Sequence, residues 1–488
     1  MSIVSRRGVG VLVGLVVCLV TVGCTGDTPP PASGVPDGTS LVIAVGAAPP
    51  SLDPLAGYAP HGAAKIYDGL VEHHPDGPVR PTLAVALPQT TADGLSWTVR
   101  LRDDVSFHDG TAFDADDVVG TYREVLDSPL RARFWMLSGV EKVDQTTVRF
   151  TLSRPYAPFP ELLVLGIRSS ESAGDKIVGT GPYQVVEWQP GTRLVLKANQ
   201  AYFVDPPEIT EVTVEFVTDD EARAQRLRDG KVDGAALPTR LAVEFDNYSV
   251  VTDRAADLRA VTFPATLPVT SDLVVRQALN LAVDRQSLVE GALGGAGAPT
   301  SMPMPRMLAE FREPGARFDY DVAGAKTLLD SGGWVSGADG VRAKNGVIAE
   351  FAVAYPAGDV VAGDLVRGFT DAAKAVGIRV TPKPGPGDGL AQLVTIGDPF
   401  DPDAVLRPLF GPAALDQARA TNDPAQRAVA FRALQRSHRS EPTMVVLAEV
   451  DHAYVMKENW TGYQPVVDGI DTDHTWGAWW NLHRWTPR

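Results

Sequence analysis

The chain has 488 residues, a formal net charge of −16 at pH 7 and two cysteines. The acidic balance argues against a nucleic-acid partner, because phosphates require a basic protein face. The length and a hydrophobic fraction of 44% are typical of a globular α/β protein of roughly three domains. No apolar run after Val20 is long enough to span a membrane. We therefore expect an acidic body of several folded domains.

The N-terminus has the pattern of an export signal. Arg6 and Arg7 precede the uncharged residues 8–20, which have the length of a signal-peptide apolar region and are short for a membrane span. A small residue then precedes Cys24. We predict that residues 1–23 are removed and that the Cys24 thiol is lipidated. The alternative is an ordinary secretory signal with an incidental cysteine, and both the Sec and the Tat export routes remain open.

Residues 24–40 predict a tether between this anchor and the body. They are rich in proline and glycine and have no periodicity, so they cannot bury a core. Cys18 would leave with the signal, and Cys24 alone would stay in the mature chain. A single cysteine forms neither an internal disulfide nor a thiolate metal cluster. The tether would hold the body close to a membrane surface.

The body alternates predicted strands and helices. Residues 41–45 predict a buried strand, and apolar residues alternate with polar ones over 97–102, the period of a half-buried strand. Asp114 is placed to cap a helix, with Asp117 as its acidic partner three residues later. The same pattern of strands, turns and helices recurs at 179–199, 209–217, 219–235, 271–293 and 319–334. This alternation predicts mixed α/β sheets covered by helices.

Several segments, in this order, resemble one protein family. They are "SLDP" (51–54), "LRDDVSFHDGTAFDADDVV" (101–119), "GTGPY" (179–183), "LRDGKVDGA" (227–235), "VRQALNLAVDR" (275–285) and "AGAKTLLDSGGW" (323–334). The family is family 5 of the extracytoplasmic solute-binding proteins of ABC importers, which includes oligopeptide-, dipeptide- and nickel-binding proteins.

The resemblance implies a non-catalytic, monomeric receptor with a two-lobe periplasmic-binding-protein-like α/β fold, mixed sheets and an extra inserted domain. The chain would cross between the lobes several times, so the hinge would have several strands. A solute, with a peptide as the leading expectation, would bind in the cleft for delivery to a permease and its ATPase. The expected division is signal 1–23, tether 24–40, first lobe 41–66, 179–264 and 472–488, inserted domain 67–178, and second lobe 265–471.

Signatures of enzymes and metal sites give no candidate. The chain has no G-x-S-x-G, H-E-x-x-H, P-loop or C-x-x-C motif, which argues against a secreted hydrolase. His73 and His74 are adjacent, and adjacent strand residues point to opposite faces. The turn at 75–77 favours an exposed loop over a metal site. His108 is expected to make a turn hydrogen bond. We predict no catalytic residue, metal or cofactor.

The aromatic candidates for ligand contact are Tyr58 and Trp135. The resemblance places the Tyr58 loop at the mouth of the cleft, where the phenol would stack on a ligand and donate a hydrogen bond. The alternative is a tyrosine packed on its own loop. Trp135 is a candidate for an aromatic wall of the cleft, with core packing as the alternative.

The charged candidates are Asp398 and Asp401. Asp398 best matches the position at which peptide-binding relatives carry an aspartate that pairs with the ligand's α-amino group. Asp401 precedes Pro402, so it is either a further ligand contact or the cap of a helix that begins there. Residues 391–397 lack the tryptophan that relatives often have. Nickel chelates, opines and oligosaccharides are therefore alternative ligands, and a ligand-sensing lipoprotein without an importer is an alternative role.

Overall fold

A computed structural model describes residues 39–62, 65–75, 79–170, 177–419, 421, 423–470 and 472–488. The predicted signal, Cys24 and residues 25–38 lie outside the described residues. Across the ranges just given, none of the helices combines the length and the hydrophobicity that a membrane crossing needs.

Most strands are short, and two of them exceed twelve residues. The strands are β1 (Ser40–Val45), β2 (Val71–Glu72), β3 (Arg80–Pro81), β4 (Gln89–Thr90), β5 (Ser96–Arg100), β6 (Leu137–Asp144), β7 (Thr147–Leu152), β8 (Tyr183–Gln189), β9 (Arg193–Ala198), β10 (Glu211–Phe216), β11 (Gly234–Leu237), β12 (Ser249–Thr262), β13 (Gly297–Ala298), β14 (Val335–Ser336), β15 (Arg342–Lys344), β16 (Val347–Ile348), β17 (Glu350–Tyr355), β18 (Arg379–Pro384), β19 (Ala391–Ile396), β20 (Met444–Met456), β21 (Trp460–Thr461) and β22 (Thr486–Pro487).

Most of the helices begin after an aspartate whose carboxylate accepts a backbone hydrogen bond. The helices are α1 (Ala115–Val125), α2 (Asp220–Arg228), α3 (Thr239–Ala242), α4 (Pro268–Ser271), α5 (Leu273–Ala282), α6 (Arg285–Leu293), α7 (Val322–Ser331), α8 (Val360–Ala375), α9 (Pro402–Arg419) and α10 (Pro424–Ser440). The predicted capping box of α1 is confirmed, since Asp114 accepts from the first turn and Asp117 accepts from the backbone of Asp114. Helix α9 is kinked at Gly411, where φ is 72°.

One large sheet extends through both lobes. Its strand order is β18-β17-β19-β12-β20-β11-β1-β10-β9-β8, with β13 paired to β20 beside this path. Strand β1 is parallel to β10 and β11, and β17 is parallel to β18 and β19. The mixed pairing agrees with the α/β class that the alternating sequence pattern predicts.

The hinge is built from the two long strands, β12 and β20, which pair antiparallel along their length. Near one end β20 pairs with β11 of the first lobe, and near the other end β12 pairs with β19 of the second lobe. The register of the pair shifts between Asp253 and Asp257, in the middle of the crossing. Irregular pairing of this kind bends and twists strands locally. Both lobes are therefore joined by continuous backbone rather than by loose linkers.

The two lobes and the inserted domain have separate hydrophobic cores. In the first lobe, the large sheet is covered by clusters that include Tyr183 on one face and Leu227 on the other. In the second lobe, α5, α6, α7 and α8 cover one face, and α9 and α10 cover the other. The inserted domain packs α1 on the sheet β4-β5-β7-β6. Strand β20 contributes side chains to the hydrophobic cores of both lobes, because the chain passes from one lobe to the other along this strand. The domain boundary at residue 471 stays a prediction.

Candidate functional site

The second lobe is contacted from two sides of a cleft, by the first lobe and by the inserted domain. On one side, Asp220 at the start of α2 accepts a hydrogen bond from the backbone N–H of Val360 at the start of α8, at 2.8 Å. On the other side, the hydroxyl of Tyr156 in the inserted domain donates to Asp401 of the second lobe, at 3.0 Å. Two cavities lie between these contacts. The first lobe and the inserted domain thus each have a hydrogen bond to the second lobe across the cleft.

The first cavity, which we call the hinge chamber, has a volume of about 350 Å³. Residues after β1, β10 and β11 line it from the first lobe, and residues after β17 line it from the second lobe. Arg259 and His452 line it from the two hinge strands. The hinge chamber therefore lies at the carboxyl ends of strands, where α/β folds commonly bind ligands.

The charged groups of the hinge chamber are paired with one another. The Arg259 guanidinium donates to both carboxylate oxygens of Asp257, at 2.7 Å each, and to Asp359 at 3.1 Å. Asp359 also caps helix α8 of the second lobe. Arg223 donates to Asp220 on the first lobe. Since each cation already has an anionic partner, this chamber has little charge left for a ligand.

His452 is held between two buried carboxylates of the hinge. Its Nδ1 lies 2.8 Å from Asp468 and its Nε2 lies 3.1 Å from Asp257. Burial opposes a charge on the imidazole, but Asp468 and Asp257 outweigh it and raise the pKa of His452 to about 10. At neutral pH the ring is therefore an imidazolium that donates to Asp257 on β12 and to Asp468 in the segment after β21.

The second cavity, which we call the Asp398 chamber, has a volume of about 320 Å³. Parts of all three domains meet in it, and its charged walls contain two carboxylates and two guanidiniums. Its lining is Pro60, His61, Arg133, Gly397, Asp398, Ala404, Arg407, Pro408, Gly469, Ile470, Asp473 and Trp476.

Asp398 is the predicted site residue that lies in a chamber wall. It is only 7% exposed and follows β19, just before α9. Its Oδ1 accepts the backbone N–H groups of Phe400 and Asp401, both at 2.8 Å. Within the part of the chain that the structure describes, its Oδ2 accepts no hydrogen bond. The carboxylate is thus oriented by the backbone through one oxygen and has the other oxygen available.

The two guanidiniums of this chamber are also only partly used. Arg133 donates through Nη1 to the carbonyl oxygen of Pro60 at 2.6 Å. Arg407 donates through Nη1 to Ala132 at 3.1 Å and through Nε to Asp403 at 3.3 Å. Their other N–H groups have no hydrogen-bond acceptor among the described residues. Charged groups of both signs thus line one small cavity with unused hydrogen-bonding capacity.

Asp401 has a structural role in this arrangement. Its Oδ1 accepts the backbone N–H of Asp403 at 2.9 Å, which confirms the predicted helix cap. Its Oδ2 accepts the hydrogen bond from Tyr156 of the inserted domain. Burial, with Asp403 and Asp398 nearby, raises the pKa of Asp401 to about 6. Asp401 does not line either chamber, so its role as a ligand contact stays a prediction.

The two aromatic candidates lie away from the chamber walls. Tyr58 is 2% exposed, and its hydroxyl lies 3.0 Å from Nε2 of His474. From the same loop, His61 lines the Asp398 chamber instead. Trp135 packs edge-on against Tyr156, with a ring separation of 5.6 Å. Both remain predicted ligand contacts. Neither ring lines a chamber, so each would have to move to contact a ligand that is bound there.

The expectation of an exposed loop is wrong for His73. Its side chain is 1% exposed and stacks on Phe400 of the second lobe, with ring centroids 3.5 Å apart. Its Nδ1 lies 3.2 Å from Glu161. The turn residues next to His73 in sequence predicted exposure. The residues that bury its side chain, such as Phe400, come from distant parts of the sequence. Burial lowers the pKa of His73, and burial together with Asp398 raises the pKa of Glu161 to about 7.

The expected turn hydrogen bond of His108 is replaced by contacts of its ring to a distant segment. Its Nε2 lies 3.0 Å from the carbonyl oxygen of Gly181, and the backbone N–H of Gly179 donates to its Nδ1 at 3.3 Å. No group of three or more His, Cys, Asp or Glu side chains that could hold a metal ion occurs in the described ranges.

Sequence reasoning missed most of the Asp398 chamber. His61, Arg133 and Trp476 come from segments more than 70 residues apart, and nothing in their local patterns marks them as neighbours. Arg407 had a weak local signal, because it follows Asp403 by one helical turn and forms an ion pair with it.

Comparisons with known proteins agree with this architecture. The model for "Bacterial extracellular solute-binding proteins, family 5 Middle" matches residues 78–416. Protein XP55 of Streptomyces lividans is 36% identical over 508 residues, which cover 95% of this chain and 92% of that protein.

Solved structures show the same fold. NikZ from Campylobacter jejuni in complex with Ni(L-His) is 25% identical, with a TM-score of 0.83 over 92% of this chain and 99% of that one. The oligopeptide-binding protein AppA from Bacillus subtilis, in complex with a nonapeptide, is 23% identical, with a TM-score of 0.78 over 92% of this chain and 99% of that one.

The chain belongs to family 5 of the bacterial extracellular solute-binding proteins. The predicted family, which serves ABC importers, and the predicted two-lobe α/β fold are confirmed. The family and its structural neighbours are binding proteins rather than enzymes.

Proposed function

We propose that this protein captures a short peptide with a free α-amino group in the Asp398 chamber and delivers it to the permease of an ABC importer. The permease would in turn depend on its ATPase. The Cys24 lipid would hold the protein at the outer face of the cell membrane, as a monomer. The likeness to AppA, whose structure contains a nonapeptide, supports a peptide ligand.

The observation that carries this proposal is the state of the Asp398 carboxylate. A nearly buried carboxylate is costly unless a cation or hydrogen-bond donors complete its shell. Backbone N–H groups satisfy Oδ1 only. An α-ammonium group would supply the charge and the donor for Oδ2, in a charge-assisted hydrogen bond. Arg133 and Arg407 line the same cavity and suit a carboxylate on the same ligand.

A nickel chelate of an amino acid is the second candidate. NikZ, at 25% identity, is a structure with Ni(L-His), and histidine also carries an amino group and a carboxylate. In such a chelate the amino nitrogen is a metal ligand and is not free as an ammonium group. Binding of a free peptide in the absence of nickel therefore separates the two candidates.

The test compares the binding of a free tripeptide with that of its N-acetylated form, by calorimetry. Asp398→Asn is expected to weaken binding of the free peptide by roughly 30-fold or more, since breaking a desolvated ion pair from one side costs about 2–5 kcal/mol. The parent is expected to bind the acetylated peptide equally poorly. Asp423→Asn is the matched control, because Asp423 also caps a helix but lies outside both chambers.

Equal affinity for free and acetylated peptides would contradict the ammonium pairing. Tight binding of Ni²⁺ with free histidine, without binding of any peptide, would favour the chelate. A ligand-sensing role without an importer would be favoured if a deletion strain took up the bound peptide normally.

The lipid anchor has its own test. Two acyl chains on Cys24 would anchor the protein stably, at about 0.8 kcal/mol per buried methylene. Cys24→Ala is expected to move the protein from washed membranes to the soluble fraction. If the Cys24→Ala variant stays bound to membranes after a carbonate wash, lipidation at Cys24 is contradicted. The ligand proposal does not depend on this result.

A further inference from the structure

Ile470 is the one residue that lines both chambers, among the residues that the structure describes. Two segments run past the boundary between the chambers. Thr395 lines the hinge chamber, and Gly397, two residues later, lines the Asp398 chamber. In the second segment, Thr472 and Asp473 likewise line different chambers. The two cavities are therefore neighbours along a common wall, and Ile470 stands at their boundary.

The other side of this boundary is the backbone at Gly397. A Cβ at Gly397 would lie 3.0 Å from Cγ2 of Ile470 and 1.5 Å from the carbonyl oxygen of Ala256. The second distance is far below van der Waals contact, so only glycine fits between β12 and the Ile470 side chain. The half-buried Ile470 side chain thus packs directly against the backbone of Gly397. Because Gly397 has no side chain, no rotamer change at this position can widen the boundary.

The segment before Ile470 is fixed to the hinge. Asp468 donates its backbone N–H to Arg254 at 2.7 Å and accepts from the N–H of Ala256 at 2.9 Å. Its buried carboxylate accepts from the N–H of Gly469 at 2.8 Å and pairs with His452. Buried, fully paired polar networks rigidify their surroundings. Ile470 therefore lies two residues beyond a firm anchor.

We propose that Ile470 is a specificity-determining residue that limits the length of the ligand to what the Asp398 chamber holds. This inference rests on the proposed function, in which the ligand's amino group lies at Asp398. In this proposal a longer chain extends from the Asp398 chamber toward the hinge chamber, and Ile470 stands at the boundary between them. The two volumes are similar, so removal of the partition about doubles the space that one ligand can use.

The test uses the full-length protein and free-amine peptides from dipeptide to hexapeptide, with affinities measured by calorimetry. The parent is expected to bind the short members and to lose affinity sharply beyond a limiting length. Ile470→Ala is expected to improve binding of the longer members relative to the dipeptide by roughly tenfold or more, the scale of a misfit of one or a few methylenes in an apolar pocket. Ile348→Ala, which removes the same atoms from an exposed strand, is expected to leave the length profile unchanged.

Two results would overturn the inference: a parent that binds hexapeptides as tightly as dipeptides, or an Ile470→Ala variant with the length profile of the parent. Native mass spectrometry of ligands that copurify with each protein separates the two proposals. Heavier copurified ligands of another chemical class in Ile470→Ala would support the partition and contradict the peptide. Free peptides of the same masses in both proteins would support the peptide and contradict the partition.

Discussion

The two chambers contain the same kinds of charged side chain in different states. In the hinge chamber, Arg259 and His452 are paired with carboxylates of the chain itself. In the Asp398 chamber, Asp398 and Arg133 each keep hydrogen-bonding groups without a partner among the described residues. A buried ion pair and a site for a charged ligand can therefore be built from the same types of side chain. What separates them is whether the partner is on the chain or on the ligand.

The largest expected effect comes from removing the charge at the centre of the hinge network. His452→Ala leaves Asp468 and Asp257 without the buried cation between them, and breaking such a pair from one side costs about 3–5 kcal/mol. We expect the free energy of unfolding to fall by that amount, measured by urea denaturation. His452→Gln keeps a donor and is expected to lose less.

The effect of this substitution should depend on pH. The pKa of His452 is raised to about 10 in the folded protein, from an ordinary value of 6.5. Its stabilising contribution is therefore complete below about pH 6.5 and is lost as the pH rises through about 10. If His452→Ala instead abolished ligand binding and left the unfolding curve unchanged, the ligand-binding site would be the hinge chamber and not the Asp398 chamber.

A smaller effect, on affinity rather than stability, is expected at Arg133. Arg133→Gln removes a charged donor from the Asp398 chamber, and a hydrogen bond to a charged group contributes about 1.5–3 kcal/mol. We expect a peptide with a free carboxyl terminus to bind about 10- to 100-fold more weakly, with a smaller loss for the C-terminally amidated peptide. Arg149→Gln, on the exposed face of strand β7, is the control. Equal losses for both peptides would show that Arg133 does not contact the carboxylate.

A loss of stability of about 1 kcal/mol is expected from Asp359→Ala in the hinge chamber. The substitution removes the cap of α8 and one of the two carboxylates that pair with Arg259. Asp257 still neutralises the guanidinium, so affinity for the ligand should stay close to that of the parent. A large loss of affinity would mean that the pairing between Arg259 and Asp359 serves binding as well as structure.

A separate effect, which depends on pH, is expected at Glu161, beside His73 in the inserted domain. The pKa of Glu161 is raised to about 7 from an ordinary 4.5, mainly by burial. The folded state then binds more protons than the unfolded state between these values, so stability falls as the pH rises from about 4.5 to about 7. Glu161→Gln should remove that part of the decline in the urea midpoint. Parallel curves for parent and variant would contradict the raised pKa.

Local signals in the sequence predict the local parts of this structure. The cap of α1 at Asp114 and the strands β8 and β9 around the turn at 190–191 follow from short patterns that the structure confirms. The long hinge strands β12 and β20 were not identified as such. Their pattern is interrupted by charged residues such as Asp257 and His452, whose partners are distant in sequence.

For the Asp398 chamber, too, the sequence indicates only the part that a local pattern or the family resemblance marks. Asp398 was predicted from the family resemblance and lies in a chamber wall, while its contact with a ligand stays a prediction. The guanidinium of Arg133 and the burial of His73 depend on contacts between domains. Such contacts follow from how three domains pack together, and no short stretch of sequence records them.

A crystal structure of the protein with its bound ligand would show which of the two chambers holds the ligand. We expect a ligand amino group about 3 Å from Oδ2 of Asp398, with the ligand confined to the Asp398 chamber on one side of Ile470. In the hinge chamber, Arg259 and His452 should keep their carboxylate partners. A ligand that lies in the hinge chamber, with its charged groups bound to Arg259 and with Asp398 uncontacted, would contradict the central claim.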